Sequence, residues 1–164
     1  MGSKIVALTG YAGVGKTEVA KYLVLKHGFI HLKFAEGLKD MLRALGLGER
    51  SIEGDLKERK STLLCGKTPR HAMITLGTEW GRNCIGEDLW ANVLQRKIES
   101  LKRLYGDGLK VVVDDCRFLN EGTMLRDMGA KIWRIRRPGV DAKTDHPSET
   151  EHLKIGYDLS FSNH

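Results

Sequence analysis

The sequence has 164 residues, of which 41% are hydrophobic and 29% are charged, and its formal net charge is +6. This length and composition predict a single globular domain over residues 1–164 and exclude a disordered chain. Because no apolar run approaches the ~20 residues of a membrane span and no signal-peptide core is found, we expect a cytoplasmic protein without a membrane partner.

The first half of the chain begins with a strand, a glycine-rich turn and a helix. The apolar run 5–8 predicts the strand, and 18–26 has the period of an amphipathic helix. A second strand is predicted at 29–34, followed by a helix that ends at a glycine pair. The apolar residues on one face of that helix are Leu38, Met41, Leu42 and Leu45. We expect 49–67, which is polar and without a clear period, to be a mobile excursion outside the core.

Two further helices are predicted in the middle of the chain. Thr68-Pro69 has the pattern of an N-cap followed by proline at the first helical position, so we expect a helix from there towards Trp80. A longer helix begins near Asp88 and ends at Gly106, with apolar residues along one side. This long helix could face either the core or a partner chain, so a homodimer is one expectation.

The second half returns to alternating strands and helices. Strands are predicted at 110–115, 130–136 and 157–161, a helix at 119–128, and a polar connection at 139–154. The alternation predicts an α/β fold with a doubly wound parallel sheet of about five strands and helices on both faces. Together with the glycine-rich turn at Gly10 to Thr17, between the first strand and the first helix, this predicts the three-layer architecture of P-loop nucleoside triphosphatases.

The three cysteines show neither a metal-binding nor a disulfide pattern. Cys65, Cys84 and Cys116 are odd in number and widely separated. We therefore interpret them as reduced thiols that pack inside the protein.

The segment Gly10 to Thr17 matches the phosphate-binding motif G-x-x-x-x-G-K-[ST] between a strand and a helix. Its glycines let backbone N–H groups turn towards phosphate oxygens, Lys16 reaches the β- and γ-phosphates, and the Thr17 hydroxyl binds Mg²⁺. We therefore predict that the protein binds ATP and Mg²⁺. The predicted ATP-binding residues are Tyr11, Ala12, Gly13, Val14, Gly15, Lys16 and Thr17.

Carboxylates and arginines follow two of the predicted strands. Asp114 and Asp115 end one strand at the edge of the sheet where the phosphate loop also lies, so one of them is a candidate Mg²⁺ ligand. The alternative is that they cap the next helix. Arg117 could bind an anionic acceptor, and the crowding of Arg134, Arg136 and Arg137 suggests phosphate binding at one place.

Several short motifs follow one another along the chain. The most specific is the L-G-T-E-W-G-R block at 76–82. The others, in order, are Phe34-Ala35, Leu38-Lys39-Asp40, Thr68-Pro69-Arg70, Asp88-Leu89-Trp90, Asp115-Cys116-Arg117-Phe118, Asn120-Glu121, Arg137-Pro138-Gly139 and His146-Pro147-Ser148-Glu149. In these motifs and their order the chain closely resembles the phage-type deoxynucleoside monophosphate kinases over essentially its whole length. The resemblance implies transfer of phosphate from ATP to a deoxynucleoside monophosphate (dNMP), in the host cytoplasm if a phage encodes the protein.

The resemblance also implies an adenylate-kinase-like core, a monophosphate-binding part at about 36–90 and a short lid at about 137–154. The residues carried over to the monophosphate are Lys39, Arg70, Gly77, Thr78, Trp80, Trp90, Asp115, Arg117 and Glu121. Each tryptophan could stack on a base or pack in the core, and His146 in the lid could equally be an ordinary loop residue.

Catalysis would depend on charges around the transferred phosphate. The candidate catalytic residues are Lys16, Asp115, Arg117, Arg136 and Arg137. Alternation along the strand places Arg134 and Arg136 on one face, and we favour Arg136 or Arg137 as the residue that reaches the ATP phosphates. Members of this class continue past the last strand into a loop near adenine and a further helix, whereas this sequence stops at 162–164. We therefore expect either a shortened chain or an open adenine side.

Two other functions compete with this one. A P-loop kinase of another small acceptor would need a base such as Asp115 next to the acceptor hydroxyl. A nucleic-acid-stimulated ATPase is suggested by the positive charge. The sequence contains no RNP-like aromatic motif and no helix-turn-helix pattern, so we expect no stable nucleic-acid partner.

Overall fold

A computed structural model describes residues 2–142 and 147–163. The chain divides into two compact units. Residues 35–90 form one, here called the helical unit, and the residues on either side form the other, here called the sheet unit. Each is described by itself below.

The sheet unit contains a five-stranded sheet in which every neighbouring pair is parallel. The strands are β1 (Lys4–Thr9), β2 (Ile30–Leu32), β3 (Lys110–Val113), β4 (Lys131–Arg136) and β5 (Leu159–Ser162), in the spatial order β2-β3-β1-β4-β5. β1 is central, with Ala7 beside Val113 of β3 and also beside Ile132 of β4. The predicted α/β class and parallel sheet are confirmed, although several strands are shorter than predicted.

The helices within the described ranges are mostly close to their predicted places. In chain order they are α1 (Lys16–His27), α2 (Glu36–Ala44), α3 (Glu49–Ile52), α4 (Pro69–Ile74), α5 (Leu89–Tyr105), α6 (Leu119–Asp127) and α7 (Pro147–Thr150). A π-helix (Thr75–Ile85) follows α4, and 3₁₀ turns occupy Gly106–Gly108 and Glu151–Lys154. None of the helices in the described ranges has the length and apolar character of a membrane span.

Alternation along the strands buries both faces of the sheet. Ile5 and Ala7 of β1 pack with residues of α5 and α6 on one face, including Ile98 and Leu125. Val6 and Leu8 point the other way and pack with α1. Side chains on successive positions of a strand point to opposite faces, so a strand buried on both sides is apolar throughout. The sheet unit therefore has three layers, with helices on both faces.

The helical unit has its own core, and it corrects two predictions. Ile52 is fully buried in α3, so the segment 49–67 is not wholly outside the core as predicted. In α2, Leu38 and Leu42 are buried, but Met41 is exposed, as is Leu45 directly after the helix, so its apolar face is narrower than predicted. A single isoleucine in a charged segment gives too little periodicity to predict its burial.

The helix that begins after Thr68 changes type halfway. Thr68 caps α4 as predicted, because its hydroxyl accepts a hydrogen bond from the backbone N–H of His71 at 3.1 Å. Instead of an α-helix to Trp80, the chain continues as the π-helix. π-Helices are rare and often lie at functional sites, and this one contains the whole L-G-T-E-W-G-R block.

The cysteines are free thiols, but their predicted burial is correct for one of the three. Cys116 is buried in the sheet unit, and burial raises the pKa of its thiol well above the ordinary value. Cys65 and Cys84 are exposed, so they do not pack inside the protein.

Candidate active site

The phosphate loop lies at the carboxyl end of the central strand β1, where ligands bind in doubly wound sheets. Gly10 has φ 138°, and a Cβ there would collide with the backbone carbonyl of Ile135. Gly15 has φ 98°, and a Cβ there would lie 2.6 Å from the side-chain amide nitrogen of Asn163. Only glycine fits both positions without strain. The two fixed glycines of the motif are therefore required by the local geometry of the loop.

Lys16 is buried at the start of α1, and its ammonium group lies under the loop. Its Nζ donates hydrogen bonds to the carbonyls of Gly10 and Tyr11, both at 2.7 Å. Burial, and secondly the nearby Arg117 charge, lower the pKa of Lys16 to about 8, although Asp114 and Glu149 partly oppose this shift. The protein thus holds a desolvated cation where the motif places the β- and γ-phosphates.

Thr17 and Asp114 meet beside the loop. The Thr17 hydroxyl donates a hydrogen bond of 2.8 Å to Oδ2 of Asp114, and Nε2 of His31 lies 2.8 Å from Oδ1 of the same carboxylate. Burial opposes ionisation of Asp114, but the His31 ring and the Thr17 hydroxyl outweigh it, so its pKa is below the ordinary value. Asp114 is therefore ionised at neutral pH.

The two adjacent aspartates have different surroundings. Asp115 Oδ1 accepts a hydrogen bond from the backbone N–H of Phe34 at 2.8 Å, which fixes the chain just after β2. Asp114, in contrast, is the carboxylate in contact with Thr17. Of the two aspartates predicted as metal ligands, Asp114 is the one that the structure places beside Thr17, the other candidate ligand.

Hydroxyl and carboxylate oxygens are suitable ligands for Mg²⁺. In residues 2–142 and 147–163, no group of three His, Cys, Asp or Glu side chains could hold a metal ion by itself. This does not conflict with a Mg²⁺ site, because this ion keeps several waters and usually takes substrate phosphates as ligands. Thr17 and Asp114 therefore fit a magnesium ion that arrives with a nucleotide.

Arg117 is held on two sides in the loop after β3. Its backbone N–H donates to Oε2 of Glu121 at 2.9 Å, and the N–H of Phe118 donates to the same oxygen at 3.0 Å. Its guanidinium Nη1 donates to Oε1 of Glu149 at 3.1 Å. Glu121 is buried and thereby fixes the start of α6, a structural contact that the family resemblance did not imply.

The three arginines of the β4 region have different surroundings. Arg134 donates hydrogen bonds to the carbonyls of His152, Leu153 and Ile155, and its guanidinium carbon lies 4.3 Å from the centre of the Tyr157 ring. Arg136 lies near the same ring, at 5.9 Å, so the predicted shared face is confirmed. Arg136 and Arg137 are both exposed. Arg134 therefore anchors the turn that precedes β5.

The lid predicted at 137–154 is described only in part. Residues 143–146, which include His146, lie outside the described residues. In the described part, Tyr11 of the phosphate loop packs edge-to-face against His152, with ring centres 4.6 Å apart. Burial, followed by the charges of Lys16 and Arg134, lowers the pKa of His152. The 3₁₀ turn that contains His152 is thus packed directly against the phosphate loop.

The helical unit contains six of the residues carried over to the monophosphate. Lys39 forms an ion pair with Glu53, and Arg70 forms one with Glu58 at 2.7 Å. Trp90 is buried in this unit's core, and its indole N–H donates to the carbonyl of Gly77 at 2.8 Å. Trp80 has 39% of its surface exposed, and Thr78 is half-buried. Trp90 is thus packed in a core, as one of the two alternatives for the tryptophans expected, and Trp80 is the more accessible ring.

Some residues of the site could not have been found from the sequence. His31 is in a strand far from the motif, and Asn163 donates from beyond β5 to the carbonyl of Val14 at 3.1 Å. His152 lies in a polar segment, and nothing in its sequence neighbours indicates burial. Glu149 belongs to a motif of the family resemblance, which implied no role for it. These residues reach the site through the sheet topology, which no local pattern encodes.

Comparison with known proteins gives two relatives. No protein-family model matches the chain. The chain is 31% identical over 169 residues, with 97% of this chain and 88% of the relative covered, to an Acanthamoeba polyphaga mimivirus protein named "Putative deoxynucleotide monophosphate kinase". It is 32% identical over 90 residues to the "Deoxynucleoside-5'-monophosphate kinase" of Escherichia phage T5, with 51% of this chain and 34% of that protein covered.

Proposed function

The chain belongs to the deoxynucleotide monophosphate kinase family, and we propose that it transfers the γ-phosphate of ATP to a dNMP with the help of Mg²⁺. Membership of this family, implied by the resemblance of its motifs, is confirmed by the two relatives. The protein is accordingly a kinase that acts on nucleotides. The roles given below to single residues and to Mg²⁺ are the finer parts of the proposal.

The observation that carries the proposal is the arrangement of Lys16, Thr17 and Asp114 around the phosphate loop. Lys16 is desolvated and held by two backbone carbonyls, and Thr17 is hydrogen-bonded to an ionised aspartate. A buried cation next to hard oxygen ligands suits the triphosphate of a nucleotide and its magnesium ion. This arrangement supports ATP as the phosphate donor.

The donor side of the site uses charges that are already in place. The carbonyls of Gly10 and Tyr11 are neutral, so an incoming phosphate can replace them on Lys16 without displacing a negative charge. Backbone N–H groups of the loop and the start of α1 supply further positive potential. Mg²⁺, when held by Thr17 and Asp114, would neutralise charge on the phosphates.

We propose that transfer is direct. An oxygen of the acceptor monophosphate attacks the γ-phosphorus, the bond from that phosphorus to the bridging oxygen breaks, and the electron pair of that bond stays on ADP. The attacking phosphate oxygen is already ionised, so no general base is needed. Lys16 and Arg117 would act by aligning two anions and reducing their repulsion.

The other carried-over residues remain proposals for the same acceptor. They are Lys39, Arg70, Gly77, Thr78, Trp80, Trp90, Asp115 and Glu121. Arg136 or Arg137 is proposed to reach the ATP phosphates, because these exposed basic residues lie at the end of β4 and directly after it. A homodimer and the position of the lid also remain proposals.

The test is a coupled assay of ADP release from Mg-ATP with each deoxy- and ribonucleoside monophosphate in turn. We expect turnover with at least one dNMP, with the diphosphate as product. Lys16→Ala should nearly abolish turnover, whereas Lys21→Ala removes an exposed lysine of the same helix and should leave it unchanged. Absence of turnover with every dNMP would reject the proposed acceptor class.

A further inference from the structure

Glu149 of α7 is a buried carboxylate that contacts Arg117. Its side chain is 10% exposed, and Oε1 accepts the hydrogen bond from Nη1 of Arg117 at 3.1 Å. Oε2 is buried as well and has no hydrogen-bond partner among the described residues. Buried carboxylates are costly unless cations and donors surround them. This one therefore depends on Arg117 and, at longer range, on Lys16, whose pKa it raises.

The contact has the chemistry of a phosphate contact. A guanidinium group binds carboxylates and phosphates with the same N–H donors, so the two anions compete for it. A dianionic phosphate that approached Arg117 would also meet the negative charge of Glu149 at close range, and like charges side by side disfavour binding. The ion pair and phosphate binding by Arg117 are therefore alternatives.

We propose that Glu149 is a positioning residue that holds Arg117 until the acceptor phosphate replaces it, and that it thereby weakens binding of the monophosphate. This inference rests on the proposed function, because it takes Arg117 as the residue that binds the acceptor. Glu149 keeps the guanidinium oriented in the free enzyme, and its displacement is part of the free-energy cost of binding the acceptor.

A purely structural role for Glu149 gives different expectations. If the ion pair only held α7 against the loop after β3, its removal would lower the melting temperature and weaken the binding of both substrates. If Glu149 competes with the acceptor, removal of its charge strengthens binding of the acceptor and leaves ATP nearly unaffected. The direction of the change in monophosphate affinity separates these roles.

The experiment measures dissociation constants by calorimetry for dAMP, dCMP, dGMP and dTMP, and for Mg-ATP, with the wild type and with Glu149→Gln. Glutamine keeps the shape of the side chain and removes its charge. We expect the preferred monophosphate to bind about fivefold or more tightly to Glu149→Gln, and Mg-ATP to change by less than about twofold. Glu151→Gln, a nearby acidic residue on the following turn, is the matched control and should change neither.

A double-mutant cycle tests whether the effect passes through Arg117. In the Arg117→Ala background, Glu149→Gln should no longer strengthen monophosphate binding, because the residue that the carboxylate holds is gone. Glu149→Ala is the second single variant, and it should shift affinity in the same direction if Glu149→Gln folds poorly. The melting temperature of each variant shows whether it is folded.

The outcomes are distinguishable. Unchanged or weaker monophosphate binding in both folded Glu149 variants, with a wild type that still phosphorylates the monophosphate, would overturn this inference and leave the proposed function intact. An equal gain in the Arg117→Ala background would overturn it too. A wild type that neither binds nor phosphorylates any of the four monophosphates would reject the proposed function, and this inference with it.

Discussion

Binding of ATP should be accompanied by uptake of a proton on Lys16. In the free protein this lysine is buried among neutral carbonyls and near Arg117, which lowers its pKa to about 8. A triphosphate placed beside it would stabilise the charged form and raise the pKa again. A change of pH should therefore change the affinity of the protein for ATP.

The size of the effect follows from that pKa. At pH 8 the free protein carries about half a proton on Lys16, so binding should take up about 0.5 proton, whereas at pH 7 the uptake should fall to about 0.1. Between pH 8 and the raised pKa in the complex, the affinity for ATP should fall by about tenfold for each pH unit, because the neutral lysine must first be protonated. The affinity thus decreases as pH rises.

Calorimetric titration of Mg-ATP in buffers of different ionisation enthalpy measures the proton uptake directly. At pH 8 the terminal phosphate of ATP is already ionised, since its last pKa is about 6, so it does not obscure the signal. Lys16→Arg is the control, because arginine stays protonated throughout this range and should show no uptake. Uptake near zero in the wild type at both pH 8 and pH 9 would contradict a lowered pKa of Lys16 in the free protein.

Three further predictions concern the core, the metal and the thiols. Gly81→Ala would place a Cβ 2.6 Å from the indole nitrogen of Trp90 and should destabilise the protein by about 1–3 kcal/mol in urea unfolding. Gly108→Ala, with no atom within 4 Å of the new Cβ and a φ outside the left-handed region, is its control and should change stability by less than about 0.5 kcal/mol. Asp114→Asn should raise the Mg²⁺ concentration for half-maximal activity by about tenfold or more, and an unchanged requirement would contradict its role. A thiol reagent should modify the two exposed cysteines in the native protein and Cys116 only in denaturant, so three fast-reacting native thiols would show that Cys116 is not buried as described.

The sequence was sufficient where chemistry requires particular residues at fixed spacing. The phosphate loop, the N-cap at Thr68 and the aspartates after β3 were all predicted, because each depends on a short local pattern. The parallel sheet was also predictable, since β1 and β3 are apolar on both faces. These features need little information from distant parts of the chain.

The remaining features of the fold and of the site depend on tertiary contacts that a local sequence pattern does not reveal. The π-helix is a rare departure from the α-helix that a helical apolar pattern does not predict, and it is accompanied by packing of Gly81 against the ring of Trp90. The burial of Ile52 depends on the other residues of the helical unit's core. The meeting of Glu149 with Arg117 joins residues 32 positions apart. Each of these is a tertiary contact whose partner could not be identified from spacing.

The two central cations of the site differ in what holds them, and the difference has a consequence for catalysis. Lys16 is held by neutral carbonyls, so ATP bound as proposed would gain a full charge interaction there without displacing an anion. Arg117 is held by a carboxylate, so an acceptor phosphate bound as proposed would have to displace a negative charge before it gains the same interaction. With these proposed roles, the donor side is ready for its ligand, while the acceptor side opposes anions that bind too weakly to displace Glu149. If the proposal is correct, Glu149→Gln should also make inorganic phosphate a stronger inhibitor against the monophosphate, because the variant no longer excludes small anions from Arg117. Equal inhibition of the wild type and the variant by inorganic phosphate would show that Glu149 does not provide this selectivity.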